Sequence, residues 1–220
     1  MRKIQYILTS VAVLLAMALS SCSENLNEVE EYPDWQSTNE SYFSNIYTTA
    51  KNSIAAGGDN WKIFRGFSLN EDIATHDYNH IVVEVLEEGT GSGCPLYTDS
   101  VKVHYLGRLL PSTSYTSGYV FAQSYYGDYN PNTASPVNLA VATNTYTPDG
   151  LCTALQQMHI GDRWRIYVPY QLGYGTSTSS TLGIPGYSTL VYELTLVAYY
   201  RAGVDVPDSQ AKEQGVWIEE

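Results

Sequence analysis

The sequence predicts an α+β fold in which four or five antiparallel strands surround one short helix. Two observations carry this. Strand-like runs recur from Ile81 onward, rich in Val, Ile, Leu and Tyr and separated by Ser/Thr/Gly/Asn/Pro-rich connections. Only one short helical pattern interrupts them, over Asp149–His159. A separate amphipathic stretch lies ahead of the first strand.

That stretch is 41–56, with Tyr42, Phe43, Ile46, Tyr47, Ala50 and Ile54 on one helical face. Ser41 or Asn39 is placed to cap its start, and Gly57-Gly58 to stop it. Its apolar stripe suits packing on its own domain, with a dimer contact as the other use. Trp61–Phe64 reads as a short strand within a mixed region extending to Tyr78. His76 and His80 stand four apart, but Asp77-Tyr78-Asn79 between them reads as a turn, and a zinc site needs three or four ligands.

Ile81–Leu86 is the next strand, followed by a glycine turn, Glu88–Gly93. This turn lacks the lysine and the strand-to-helix context of a phosphate loop. Val101–Leu109 alternates, with Val101, Val103 and Tyr105 on one face and Lys102 and His104 on the other, so His104 is expected to be exposed. Residues 111–119 and 125–135 read as loops, and Leu139–Val141 as a short strand. In the helix, Leu151, Leu155 and Met158 form one buried stripe. Asp149 or Thr147 is its cap, Pro148 suits its first turn, and Gly161 follows its end. Trp164–Val168 and Leu190–Tyr199 complete the strands, and 201–220 reads as a polar tail.

The composition limits function. The chain has 220 residues, 44% of them hydrophobic, enough for one domain plus extensions. A formal net charge of −12 argues against nucleic acid as a partner, because phosphate binding needs a basic stripe. No Gly-x-Ser-x-Gly, no His-Glu-x-x-His and no cysteines at metal spacing occur, so neither hydrolytic chemistry nor a cofactor is expected. Cys94 and Cys152 suit either a disulfide or two buried thiols.

The N-terminus reads as an export signal. Arg2 and Lys3 precede an apolar stretch, Ile4–Leu19, that is too short and too polar at its start for a good membrane span. It ends in Ala18-Leu19-Ser20-Ser21-Cys22, which resembles the lipobox of bacterial lipoproteins. That resemblance implies cleavage after residue 21, a lipid on Cys22 and attachment to the outer membrane, facing either the periplasm or the surface. Residues 22–40 follow as an acidic linker with Glu24, Glu28, Glu30 and Glu31. The tract suits plain solvation and a sorting signal about equally.

Several motifs in order, over roughly residues 79–199, resemble the FKBP (immunophilin) family of peptidyl-prolyl cis–trans isomerases. They are Val103-His104-Tyr105-Leu106-Gly107-Arg108-Leu109, Phe121-Ala122-Gln123-Ser124, Pro136-Val137-Asn138-Leu139, and Gly150-Leu151 through Met158 to Gly161-Asp162-Arg163. Leu172-Gly173-Tyr174-Gly175, Ile184-Pro185 and Ser188-Thr189-Leu190-Val191-Tyr192 follow. The resemblance implies a curved antiparallel sheet wrapped on the short helix over residues 79–200, after an N-terminal helical extension at 41–78. It also implies action on proline-containing polypeptides.

Carried over position by position, the family's pocket falls on Tyr174, Tyr105, Phe121, Leu151 and Tyr192 as catalytic residues, with Val137 and Ile184 as substrate-binding residues. Taken one at a time, each of these is a side chain that core packing alone would explain. The sequence departs from the family pattern in four places. Ala122 replaces an aspartate, Leu151 the tryptophan of the pocket floor, Val137 an aromatic wall, and Pro148 falls where a backbone N–H reaches the ligand. The Leu151 floor is expected to be wider than the family's. The departures leave open a binding or chaperone module that keeps the fold with little catalysis, and the Tyr-rich loops at 111–135 leave open a surface accessory lipoprotein.

Overall fold

The computed structural model describes residues 29–202 and 215–219. Cys22 and the expected export signal lie outside them. No helix among the described residues is long and apolar enough to cross a membrane.

One eight-stranded sheet dominates. In chain order the elements are α1 (Trp35–Ala55), β1 (Trp61–Arg65), β2 (His80–Glu87), β3 (Ser100–Arg108), β4 (Val120–Gln123), β5 (Val137–Ala140), α2 (Asp149–Leu155), β6 (Arg163–Val168), β7 (Leu190–Ala202) and β8 (Gly215–Ile218). The strand order is β1-β2-β6-β7-β3-β4, with β5 also on β3 and β8 on β7. Every pairing is antiparallel.

β3 is the hinge of the architecture. Its first half, Ser100–Val103, pairs with β5 and its last, Leu106–Arg108, with β4, along one edge. Tyr105 sits at the changeover. Its N–H donates to Ser124 Oγ at 3.0 Å, and its carbonyl accepts from Ser124 N at 2.9 Å. Ser124 thus satisfies the backbone where neither strand does, as a buried ladder requires.

α2 lies against the sheet with Gly150–Leu155 all buried. The approach is close at Gly150, where a Cβ would stand 2.4 Å from Val168 Cγ1. The expected stripe holds, since Leu151, Leu155 and Met158 have no exposed surface. The helix stops at Leu155, four residues short of the expected His159.

α1 begins at Trp35, six residues before the expected start, and absorbs the end of the expected linker. Tertiary bonds set this boundary, and neither Ser41 nor Asn39 acts as a cap. Trp35 Nε1 donates to Ser188 Oγ at 2.9 Å. The Asn39 amide, fully buried, donates to Trp35 O at 2.7 Å and accepts from Thr189 N at 2.7 Å. With Phe43 and Ala50 also buried, α1 packs on its own domain. Leaving Asn39 unpartnered there would cost about 1–3 kcal/mol.

Two further expectations are corrected. The C-terminal segment is not merely a polar tail, because β8 pairs with Tyr199–Ala202 of β7. His104 is buried, with 4% of its surface exposed. The 125–135 loop folds over its strand face and sets Tyr129 5.4 Å from the imidazole. Arg163 holds Tyr129 from the other side, 4.9 Å from the ring centroid.

Candidate functional site

Four of the seven expected side chains form one cluster. Tyr192 on β7 pairs with Gly107 on β3, which pairs with Ala122 on β4. A Cβ at Gly107 would stand 2.7 Å from two ring atoms of Phe121 and 3.0 Å from Tyr192 Cε1. The missing side chain is therefore what admits both rings. They meet edge to face at 5.5 Å and 89°, the arrangement the ring quadrupoles favour.

Tyr174 follows the 3-10 turn at Tyr170–Leu172, and Tyr105 stands on β3. Burial pushes the Tyr174 hydroxyl up to about 12, with the neighbouring Tyr105 adding to the rise. Burial also holds Tyr192 well above the usual range, with Tyr174 and Tyr105 contributing. Tyr105 is raised by its own burial and by Tyr146. All three tyrosines are therefore neutral donors at physiological pH.

Their hydroxyls are not equivalent. Tyr174 Oη donates to the main-chain oxygen of Thr145 at 3.0 Å. Tyr192 Oη is buried and has no partner with acceptable hydrogen-bond geometry among the described residues. Although Tyr174 lies close enough to act on it electrostatically, the Tyr174 proton goes to Thr145.

The other three residues frame this cluster less directly. Leu151 and Ile184 are fully buried in the continuous core, and Val137 packs against that core half-exposed. Ile184 is fixed by a two-way backbone bridge with Ser179, at 2.8 and 3.1 Å. Leu151 has no exposed surface, so its replacement of a larger floor residue leaves no open hollow at that position. Ala122 supplies no carboxylate, and Pro148 is the N-cap of α2, its carbonyl accepting from Cys152 N at 2.9 Å.

Sequence reasoning missed Gly107 and Thr145. A glycine inside a strand pattern was the available signal for the first, since it marks close approach of another group. Nothing in the side chain of Thr145 signals the role of its backbone oxygen. Cys94 and Cys152 are both free thiols, Cys94 lying 3.7 Å from His159 Nε2.

The arrangement offers apolar and aromatic walls and neutral hydroxyl donors, and none of its seven side chains is charged. Residues 94–197 match the family described as FKBP-type peptidyl-prolyl cis-trans isomerase. The chain is 32% identical over 115 residues to FK506-binding protein 1A of Neurospora crassa, covering 52% of this chain and 84% of that one. It is 31% identical over 123 residues to a macrophage infectivity potentiator of Trypanosoma cruzi, covering 56% and 55%. It is 32% identical over 113 residues to an FKBP-type 22 kDa peptidyl-prolyl cis-trans isomerase of Escherichia coli, covering 51% and 47%. The last two matches span about half the length of those relatives. The chain belongs to the FKBP-type peptidyl-prolyl cis-trans isomerase family.

Proposed function

We propose that the protein is a peptidyl-prolyl cis–trans isomerase acting on proline-containing polypeptides. The observation that carries this reading is the Phe121–Tyr192 edge-to-face pair opened by Gly107 and bordered by Tyr105 and Tyr174.

Rotating a peptide bond costs about 18–20 kcal/mol because resonance is lost in the twisted state. For X–Pro the two end states are nearly equal in energy and exchange slowly. A catalyst therefore needs only to hold the twisted amide better than the planar one. The twisted amide has less charge separation and loses less on leaving water. Apolar walls at Phe121 and Val137, backed by the buried Leu151, Ile184 and Tyr192, favour it. In this mechanism Tyr105 borders the prolyl ring, and Tyr174 exchanges the Thr145 oxygen for a substrate carbonyl.

The test is the cis-to-trans rate of a short X–Pro peptide with and without the protein. Acceleration proportional to protein concentration is expected, and an unchanged rate rejects the enzyme. A second reading, a binding or chaperone module with little catalysis, is favoured by the same Tyr174–Thr145 bond and by Ala122. It is distinguished by stabilisation of the protein by proline peptides in the absence of turnover.

We also propose that residues 1–21 are removed on export and that Cys22 carries lipid, holding the domain at the outer membrane, where it assists folding of envelope or secreted proteins. The basic start, the apolar Ile4–Leu19 and the small residues before Cys22 support this. Several acyl chains add about 0.8 kcal/mol per buried methylene. Labelling of cells with a radioactive fatty acid is expected to mark the protein and to miss Cys22→Ser.

A further inference from the structure

A cleft lined by none of the seven expected site residues opens beside α1. It has a volume of about 550 Å³ and sits between α1, the Asp77–Asn79 turn and the Tyr170–Leu172 turn. Phe43, Tyr78 and Tyr170 give it aromatic surface, and Glu40 and Asp77 give it two carboxylates. No lysine or arginine among the described residues lines it.

Four acids on and beside the sheet are neutralised by arginine. Glu84 and Glu193 flank Arg165 at 2.8 and 3.0 Å, Glu87 meets Arg163 at 2.9 Å, and Asp99 meets Arg201 at 2.9 Å. Glu40 and Asp77 take part in no ion pair among the described residues. Glu40 Oε1 instead accepts from Gln36 Nε2 at 2.9 Å and from the Tyr170 hydroxyl at 3.2 Å. Asp77 Oδ1 accepts from the Tyr78 N–H at 2.8 Å. Among the described residues, each leaves one carboxylate oxygen without such a bond. The negative field is felt inside the cleft: the Tyr170 hydroxyl is raised, first by burial and then by its bond to Glu40 and that carboxylate's charge.

The rings are fixed in place. Tyr78 stacks on His76 at 4.7 Å, and Tyr170 meets Tyr187 edge-on at 5.1 Å. α1 is fixed as well, through Trp35 and Asn39 on Ser188 and Thr189. The cleft therefore needs little reorganisation to receive a ligand. Two carboxylates outside any ion pair, set over aromatic and apolar walls, complement one common chemical group, a cation carried on an apolar stem. A planar guanidinium satisfies both the carboxylate oxygens and the ring faces, which an ammonium does less well.

We propose that this cleft is a binding site for the arginine side chain of an extended polypeptide. The guanidinium lies between Glu40 and Asp77, and its methylenes lie along Phe43, Tyr78 and Tyr170. The site needs no proline and no catalysis.

The test uses a short proline-free peptide with one arginine between two leucines, and the same peptide with citrulline, which keeps the shape and loses the charge. Binding is followed by amide chemical shifts of the full-length protein. The arginine peptide is expected to shift the signals of Glu40, Tyr78 and Tyr170 and to bind about tenfold tighter than the citrulline peptide, a difference of about 1.4 kcal/mol. The E40Q/D77N double variant is expected to lose this preference, while the amide oxygen introduced on α1 still accepts from Tyr170. Gln171→Lys, at an exposed position on the rim, is expected to weaken arginine binding by bringing a resident cation. Equal affinity for the two peptides, no binding of either, or an undiminished preference in E40Q/D77N overturns the proposal. Because neither peptide contains proline, an absence of isomerase activity leaves these outcomes unaffected.

Discussion

Tyr174 Oη donates to the carbonyl oxygen of Thr145 at 3.0 Å, so the donor expected to serve a substrate is engaged within the protein itself. In Tyr174→Phe both the internal bond and any bond to a substrate are lost. The bond lies at an exposed position, so the freed carbonyl regains water and the stability loss stays within about 1 kcal/mol. The X–Pro exchange rate is expected to fall about tenfold, equivalent to one hydrogen bond in the transition state. Peptide exchange and urea unfolding of the same sample check both halves. An unchanged rate would remove Tyr174 from the mechanism.

Gly107→Ala tests the opening that admits the two rings. The added methyl meets the far edge of the half-exposed Phe121 and also comes within 3.0 Å of the buried Tyr192 ring. The expected cost is loss of the Phe121–Tyr192 contact, about 0.5–1.5 kcal/mol, partly offset by alanine's lower chain entropy. The near-ultraviolet circular dichroism of the aromatic cluster is expected to change and the exchange rate to fall. A wild-type spectrum with full activity would show that Phe121 does not shape the site.

Asn39→Leu tests the clamp that holds α1. It keeps the size of the side chain and removes the acceptor for Thr189 N and the donor to Trp35 O. Thr189 N is then buried without a bond, while Trp35 O keeps the helical bond from the N–H of residue 39, so the cost is about 1–3 kcal/mol. The urea midpoint is expected to fall at an unchanged slope, because the surface exposed on unfolding is the same.

The sheet was legible in the sequence because its signals are local. Strand alternation placed β3, and the stripe of Leu151, Leu155 and Met158 placed α2. What was not legible depended on contacts distant in sequence. The true start of α1 depends on bonds from Trp35 to Ser188 and from Asn39 to Thr189, 153 and 150 residues away. The burial of His104 depends on a loop that folds back over an alternating strand, which the alternation cannot report. At the site, side-chain identity pointed to Tyr174, but its present acceptor is a backbone oxygen and backbone oxygens carry no sequence signature. Gly107 stood inside a recognised motif, yet its use as a gap between two rings appears only once β3, β4 and β7 are in register.

The buried imidazole of His104 gives the last expectation. Burial lowers its pKa below 6.5, and its Nδ1 meets no hydrogen-bond partner among the described residues. In the unfolded chain the same group titrates near 6.5. Above that pH both states hold it neutral, and its contribution to stability is complete. As the pH falls through 6.5 the unfolded chain takes up the proton first, so stability is lost across the interval between 6.5 and the lower folded value. His104→Leu removes the titrating group and fills the same space beside Tyr129. Unfolding by urea at pH 7.5 and at pH 5.5 is expected to show a smaller acid-induced loss in the variant than in the wild type. The difference arises because the leucine leaves the unfolded state nothing to protonate at this position. Equal losses in the two proteins would mean that His104 accepts its proton in the folded state as readily as in water, and that its burial against Tyr129 is not maintained in solution.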